Sequence, residues 1–204
     1  MIRNLTAVAA TALLLAACGA PEPGTPATPA AAEPTTPVPT TPPVADNILT
    51  SEGLGPVRIG MTAAEVTTAW GADADPEAVG GADPQTCDVY HPTRAPDGVN
   101  VMIQNGVLTR ITLIRAATIK TDRGFGLGDQ ALAIKQAYGG AIIAQPHKYQ
   151  DAPAEDLFAW SRGGSTQYVQ DPTARGIRYE VGGDGTVSLI HAGDPSIQLV
   201  ESCS

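Results

Sequence analysis

Two stretches of the chain place small or apolar residues at helical spacing. In 60–71, Ala63, Val66, Ala69 and Trp70 fall on one face, and in 128–139 Ala131, Ile134, Ala137 and Tyr138 do the same. The stretches align without gaps. Gly60/Gly128, Ala63/Ala131, Ala69/Ala137 and Gly71/Gly139 are identical, and Val66/Ile134 and Trp70/Tyr138 match in character. Such self-similarity marks an internal duplication. Each stretch predicts a short helix with one buried face, stopped by its terminal glycine. Thr62 with Glu65 fits a capping box at the first start, and Asp129 is the expected cap of the second.

Strand patterns follow each helix. Residues 99–104 and 107–114 flank Asn105-Gly106, the favoured pair for a tight hairpin turn. Residues 176–181 and 186–191, joined around Asp184-Gly185, repeat that hairpin. Earlier strands are expected at 86–91 and 157–160. The predicted unit is therefore a Gly-rich turn, a helix, a strand and a hairpin, occurring twice. Neither helix can bury its stripe alone, so the expected fold class is α+β, two tandem units forming one layered domain. The units span about 49–118 and 119–204.

The N-terminus follows another pattern. Arg3 is the sole charge before an apolar run over 5–17, the arrangement of a secretory signal. The run is shorter than the roughly 20 residues that span a bilayer. Leu15-Ala-Ala-Cys18-Gly19 resembles the lipobox of bacterial lipoproteins. That resemblance implies a signal peptide over 1–17, a lipidated Cys18 as mature N-terminus, and, with Gly19 rather than Asp after it, sorting to the outer membrane of a diderm envelope. Residues 18–48 then form a linker. Nine of the 18 prolines fall in it, among Thr and Ala and almost no large apolar side chains. This composition favours an extended tether at about 3.1 Å per residue.

Within 49–204, a Gly-Met-Thr turn leading into a helix that ends in aromatic-Gly, then antiparallel strands, resembles the small lipoprotein of the outer-membrane β-barrel assembly machinery. The tandem arrangement is similar to the β-lactamase inhibitor protein. The resemblance implies two sheets side by side with a concave face. Only the structural motif matches, so no inhibitory contact residue carries over.

Charge and cysteine count narrow the function classes. Twelve Lys+Arg against 21 Asp+Glu, with no basic run, disfavour nucleic acid as a partner. With Cys18 lipidated, Cys87 and Cys203 remain as a pair, and an oxidising compartment favours a disulfide between them.

The chemical motifs are weak. Gly124-Phe-Gly-Leu-Gly128 lacks the spacing of a phosphate-binding turn, and Asp129 places a carboxylate where the anion belongs. His91, His147 and His191 have no ligand partner at metal spacing and read as solvated or hydrogen-bonded. Asp73, Asp75, Glu77 and Asp83 lack the EF-hand Gly and Glu and read as a solvated acidic loop. Ser188, His191 and Asp194 are a local cluster rather than a triad, and Ser165 has no nucleophile elbow. No catalytic residue, metal or cofactor is expected. Aromatic residues are scarce, and Tyr90, Trp160, Tyr168 and Tyr179 lie in or beside predicted strands, so they are the candidate binding surface. The expected function is a lipid-anchored, periplasm-facing envelope protein, held to the membrane by its N-terminal lipid and binding a protein or ligand without catalysis. The alternative class is an envelope hydrolase.

Overall fold

A computed structural model describes residues 47–203 except 79, 116, 165 and 166. The signal peptide, Cys18 and nearly all of the linker therefore lie outside the described residues. The elements are strands β1 (Ile48–Thr50), β2 (Gly53–Leu54) and β3 (Val57–Arg58), helix α1 (Ala63–Trp70), and strands β4 (Cys87–Tyr90), β5 (Val99–Gln104), β6 (Val107–Leu113) and β7 (Lys120–Thr121). Then come helix α2 (Ala131–Tyr138) and strands β8 (Ile143–Pro146), β9 (Glu155–Trp160), β10 (Gly176–Val181) and β11 (Val187–Gly193), with a 3-10 turn at Pro195–Gln198.

The main sheet has seven strands in the order β4-β5-β6-β11-β10-β9-β8, with every neighbouring pair antiparallel. Apart from β8, this order is a palindrome about the β6–β11 contact. There Ile190 pairs with Leu113, His191 with Thr112 and Ala192 with Ile111. The pseudo-dyad passes through the Thr112–His191 pair. The duplication is thus a pseudo-two-fold within one sheet.

Local bonding repeats with it. In the first unit Gly60 N–H donates to Leu108 C=O at 2.8 Å, Leu108 N–H to Met61 C=O at 2.8 Å, and Ala63 N–H to Gly106 C=O at 2.9 Å. In the second, Gly128 bonds Val187 at 2.9 Å, Val187 bonds Asp129 at 2.9 Å, and Ala131 bonds Gly185 at 3.1 Å. Even the β-bulges coincide. The register shifts at Met102/Ile103 and at Glu180/Val181, and the bulged hydroxyls donate across the hairpin, Thr109 Oγ1 to Met102 C=O and Ser188 Oγ to Glu180 C=O.

Helix α1 begins with the expected capping box of Thr62 and Glu65. Its last turn is closed by Arg94, which donates to the Thr67 and Thr68 carbonyls. The second cap differs from the expectation. Gln130 occupies the position of Thr62 with no side-chain cap bond, because Asp129 is turned back to accept the Gly126 N–H at 2.8 Å. That carboxylate fills the glycine turn from within. The small sheet β3-β2-β1-β7 and the edge strand β8 have no counterpart in the sequence reading. Strands of two to four residues carry too little periodicity to register.

Both helices pack on one face of the large sheet. Val66, Trp70 and Ile134 join Val99, Val101, Ile111, Leu157, Ile177, Tyr179 and Ile190 in the principal core. Tyr138 is only half-buried where its counterpart Trp70 is buried, and Arg123 lies over its ring at 4.9 Å. Cys87 and Cys203 form the expected disulfide, closing a 116-residue separation. It ties the last residues of the chain to edge strand β4 on the opposite, tail-bearing face.

Candidate functional site

Side chains alternate across a strand, so the residues between the core positions all point to the tail-bearing face. In β10 these are Arg178 and Glu180. Their cross-strand neighbours on that face are Asp156 and Phe158 of β9 and His191 and Leu189 of β11. Thr112 and Arg110 of β6 continue the row. The segment following β11 crosses over it and shields it from water. Arg110 and Arg178 are each only 1% exposed.

Burial on this scale is tolerated only where charges find partners. Arg178 lies 2.8 Å from Asp156 Oδ1 and 3.0 Å from Glu180 Oε2, and its Nη1 donates to the Ile197 and Leu199 carbonyls. Arg110 donates to the Ser196 and Leu199 carbonyls and to the Ser202 hydroxyl. Burial, with Arg178 nearby, lowers the Arg110 pKa to about 10, which leaves it protonated at neutral pH. Burial raises Asp156 above the ordinary carboxylate range, and Arg178 draws it only partly back.

Two imidazoles close on Glu180. His147 Nδ1 accepts the Tyr149 and Gln150 N–H groups, so its proton sits on Nε2, 3.4 Å from Glu180 Oε1. His191 Nε2 lies 3.6 Å from Glu180 Oε2, and Thr112 Oγ1 lies 3.0 Å from His191 Nδ1. Burial pushes Glu180 upward, but His191, Arg178 and His147 outweigh it and bring the carboxyl to about 2. Burial pushes His191 down to about 4, with Glu180 opposing and both arginines reinforcing the drop. The ring is therefore neutral at pH 7. A cavity of about 230 Å³ opens beside this cluster, bounded by Asn100, Thr112, Tyr149, Val200 and Ser202.

The chain Thr112–His191–Glu180 has the outline of a hydroxyl, a base and an orienting carboxylate. With a pKa near 4, however, His191 is a weak general base at neutral pH. The arrangement is better suited to holding a covering segment than to moving a proton.

The four aromatic candidates separate. Tyr179 is a correction: it is fully buried on the helix side, its hydroxyl 2.9 Å from that of Tyr138 and donating to Thr121 Oγ1 at 3.1 Å. Tyr90 also turns to the helix side and packs half-buried against the core. One-residue alternation sends both to the wrong face. Trp160 does lie on the tail-bearing face, stacked on Phe158 with centroids 6.4 Å apart, but the chain's own Ile197 covers it. Tyr168 is open, 59% exposed beside a depression formed with Ile143, Phe158 and Gln198.

His91, His147 and His191 are all hydrogen-bonded, as expected, His91 Nδ1 lying 2.7 Å from the Val99 carbonyl. What the sequence reading did not place is the burial of His147 and His191 against one carboxylate. The signal available was the alternation in Gly-Ile-Arg-Tyr-Glu-Val, which puts Arg178 and Glu180 on one face. By itself that pattern reads as a water-facing side. Ser188 is exposed and bonded to Glu180 C=O, and Asp194 accepts the Ser196 N–H, so the local Ser-His-Asp cluster is not assembled. Asp73 and Asp83 cap their own turns, at Asp75 and Gln85. Ser165 lies outside the described residues.

No family model matches the chain, and no curated protein matches it. Among solved structures it is similar to an extracellular protein containing an SCP domain from Bacillus anthracis, with 10% identity and a TM-score of 0.39. That similarity covers 69% of this chain and 45% of the other, so the chain spans less than half of that protein's length. Among the described residues no helix is long and apolar enough to cross a membrane.

Proposed function

We propose that this chain is a lipid-anchored protein of the bacterial cell envelope that works by binding a protein partner without catalysis, with the tail-bearing sheet face as its working surface. The observation that carries the reading is Tyr168. It is 59% exposed, next to a depression floored by Phe158, on the face where the buried charge cluster fixes the geometry. A large aromatic ring left in water beside a preformed hollow is the kind of anchor that protein interfaces use. The lipobox-like Leu15-Ala-Ala-Cys18 and the proline-rich stretch over 18–48 support attachment through Cys18 and a spacer to the membrane, and Gly19 after the Cys suggests sorting to the outer membrane, facing the periplasm. The Cys87–Cys203 disulfide fits an oxidising compartment.

Cross-linking in intact envelopes, followed by affinity capture, tests the reading. Wild type is expected to retain a discrete partner, and Tyr168→Ala to lose it while remaining folded and membrane-bound. A folded Tyr168→Ala that captures the same partner equally well removes this face as the working surface. Fatty-acid labelling tests the anchor separately: Cys18→Ser should abolish the label, and unchanged labelling rules the anchor out.

A further inference from the structure

The segment after β11 is bound to the sheet as a peptide ligand is bound, not as a core element is packed. Ile197 is fully buried, but not in the principal core; it fills a separate small cluster with Phe158 and Trp160. Gly176, opposite Trp160 in the ladder, leaves the space. A Cβ there would stand 2.7 Å from the indole and 3.1 Å from the end of Ile197. Around that anchor, the backbone is read by side chains. Arg110 Nη1 reaches Ser196 C=O at 3.1 Å and Leu199 C=O at 3.3 Å; Arg178 Nη1 reaches Ile197 C=O at 3.3 Å and Leu199 C=O at 3.1 Å. Gln198 forms a two-way clamp with Val169, accepting its N–H and donating to its C=O, both at 2.8 Å. Beyond Leu199 the described residues are held by the Arg110–Ser202 bond, an exposed Lys148–Glu201 pair, a parallel backbone bridge between Gly81 and Cys203, and the Cys87–Cys203 bond.

We infer that this face is a peptide-binding groove occupied in cis by residues 195–202, and that its partner in trans is a short segment that presents a β-branched aliphatic anchor from a 3-10 turn, as Ile197 is presented here. The segment's aliphatic side chain takes the Phe158–Trp160 pocket, and its carbonyl oxygens take the two guanidiniums. The disulfide keeps the cis segment at high effective concentration, so the oxidised chain excludes a free peptide, and only a partner that also engages the exposed Tyr168 displaces the segment. Guanidiniums that lose the cis segment regain water, so opening leaves no charge stranded, and the principal core is untouched. The inference deepens the proposed binding function by naming the class of partner, and it rests on that function's face.

The probe is a synthetic peptide of residues 195–202, added to the full-length chain. In the double variant Ile197→Ala/Cys203→Ser the cis segment lacks both anchor and latch. The peptide is expected to bind this variant, read by Trp160 fluorescence or chemical-shift changes, at least tenfold more tightly than the same peptide with Ala at the Ile position. The oxidised wild type should bind neither. A folded double variant that binds no peptide at millimolar concentration, or binds both equally, overturns the inference. Should the double variant fail to fold, hydrogen exchange on Cys203→Ser decides. Exchange of amides 197–203 through local opening, with β6, β10 and β11 still protected, supports the groove, and exchange only through global unfolding overturns it. The two readings fail separately. Peptide binding with envelope capture unaffected by Tyr168→Ala removes the partner face and leaves the cis groove; the reverse pattern removes the groove alone.

Discussion

The two halves of the large sheet share a backbone and differ on one face. On the helix side the pseudo-dyad relates Val101 to Tyr179, Ile111 to Ile190, Val99 to Ile177 and Ile103 to Val181, apolar or aromatic in both halves. On the tail-bearing side it relates Val89 to Asp156, Met102 to Glu180, Asn100 to Arg178 and Thr112 to His191. The first set supports two equivalent helices and is held to size and apolarity by close packing. The second is free of that constraint, and there the second half carries Asp156, Arg178, Glu180 and His191, while the first contributes Arg110 where the second has Leu189. The packed face specifies the fold, and the divergent face is where the two halves were free to differ.

The largest test of the equivalence is on the helix side. Trp70→Ala should cost about 3 to 5 kcal/mol, measured by denaturant unfolding, as for other buried large aromatics. Truncation at its counterpart Tyr138, which is half-buried, should cost clearly less. Equal costs would mean that the two helices are packed alike and that the exposure difference is energetically silent.

On the tail-bearing side the comparison can be inverted. Arg178→Asn alone leaves Asp156 and Glu180 buried without their guanidinium and should cost about 3 to 5 kcal/mol. Writing the first half's residues into the second, as Asp156→Val, Arg178→Asn and Glu180→Met together, should cost much less than that single change, because no carboxylate is left buried without its guanidinium, and Arg110 keeps its carbonyl partners. If the triple variant is the less stable, the cluster is a net source of stability rather than a costly device kept for another purpose.

Acid titration separates the halves next, because Thr112 has no charge to gain where His191 does. The unfolded His191 takes up a proton below about pH 6.5, while the buried ring does so only near pH 4, so the unfolded state binds more protons across that window. Stability should therefore fall as pH drops from 6.5 to 4, by up to about 1.4 kcal/mol per pH unit from this group. Glu180, held at about 2, should extend the decline from pH 4.5 towards 2, since its ionised form is the one the native state favours. His191→Gln should flatten the upper part of the curve; an unchanged slope between pH 6.5 and 4 means that the ring is not buried neutral. The smallest effect is expected at Tyr168, where truncation to Ala should change stability by less than about 0.5 kcal/mol.

Much of the architecture was legible because it is locally encoded. Asn105-Gly106, with φ of 50° and 77°, adopts the turn that its residue types demand, and the Thr62–Glu65 box closes α1 as its spacing requires. Strands 99–104 and 176–181 fall where the alternation ends them. The matched helices announced the duplication, since the same burial problem was solved twice with the same residues. The Cys87–Cys203 pairing followed from cysteine parity once Cys18 was set aside.

What tertiary structure alone decided is which face of each strand meets what. Alternation distinguishes two faces without saying which is covered, so Tyr179 and Tyr90 turned inward, and Arg178 and Glu180, which read as water-facing, were sealed beneath residues 195–203. Three elements far apart in the chain, β6, the turn after β8 and the β10–β11 hairpin, bring Thr112, His147, Glu180 and His191 within hydrogen-bonding or ion-pair range. No residue in any one of those elements marks the others as neighbours. Local sequence determines dihedral preferences and periodicity, which act over a few residues. The desolvation that shifts Glu180 and His191 depends on a covering segment more than ten residues from Glu180 along the chain, and only the folded geometry supplies it.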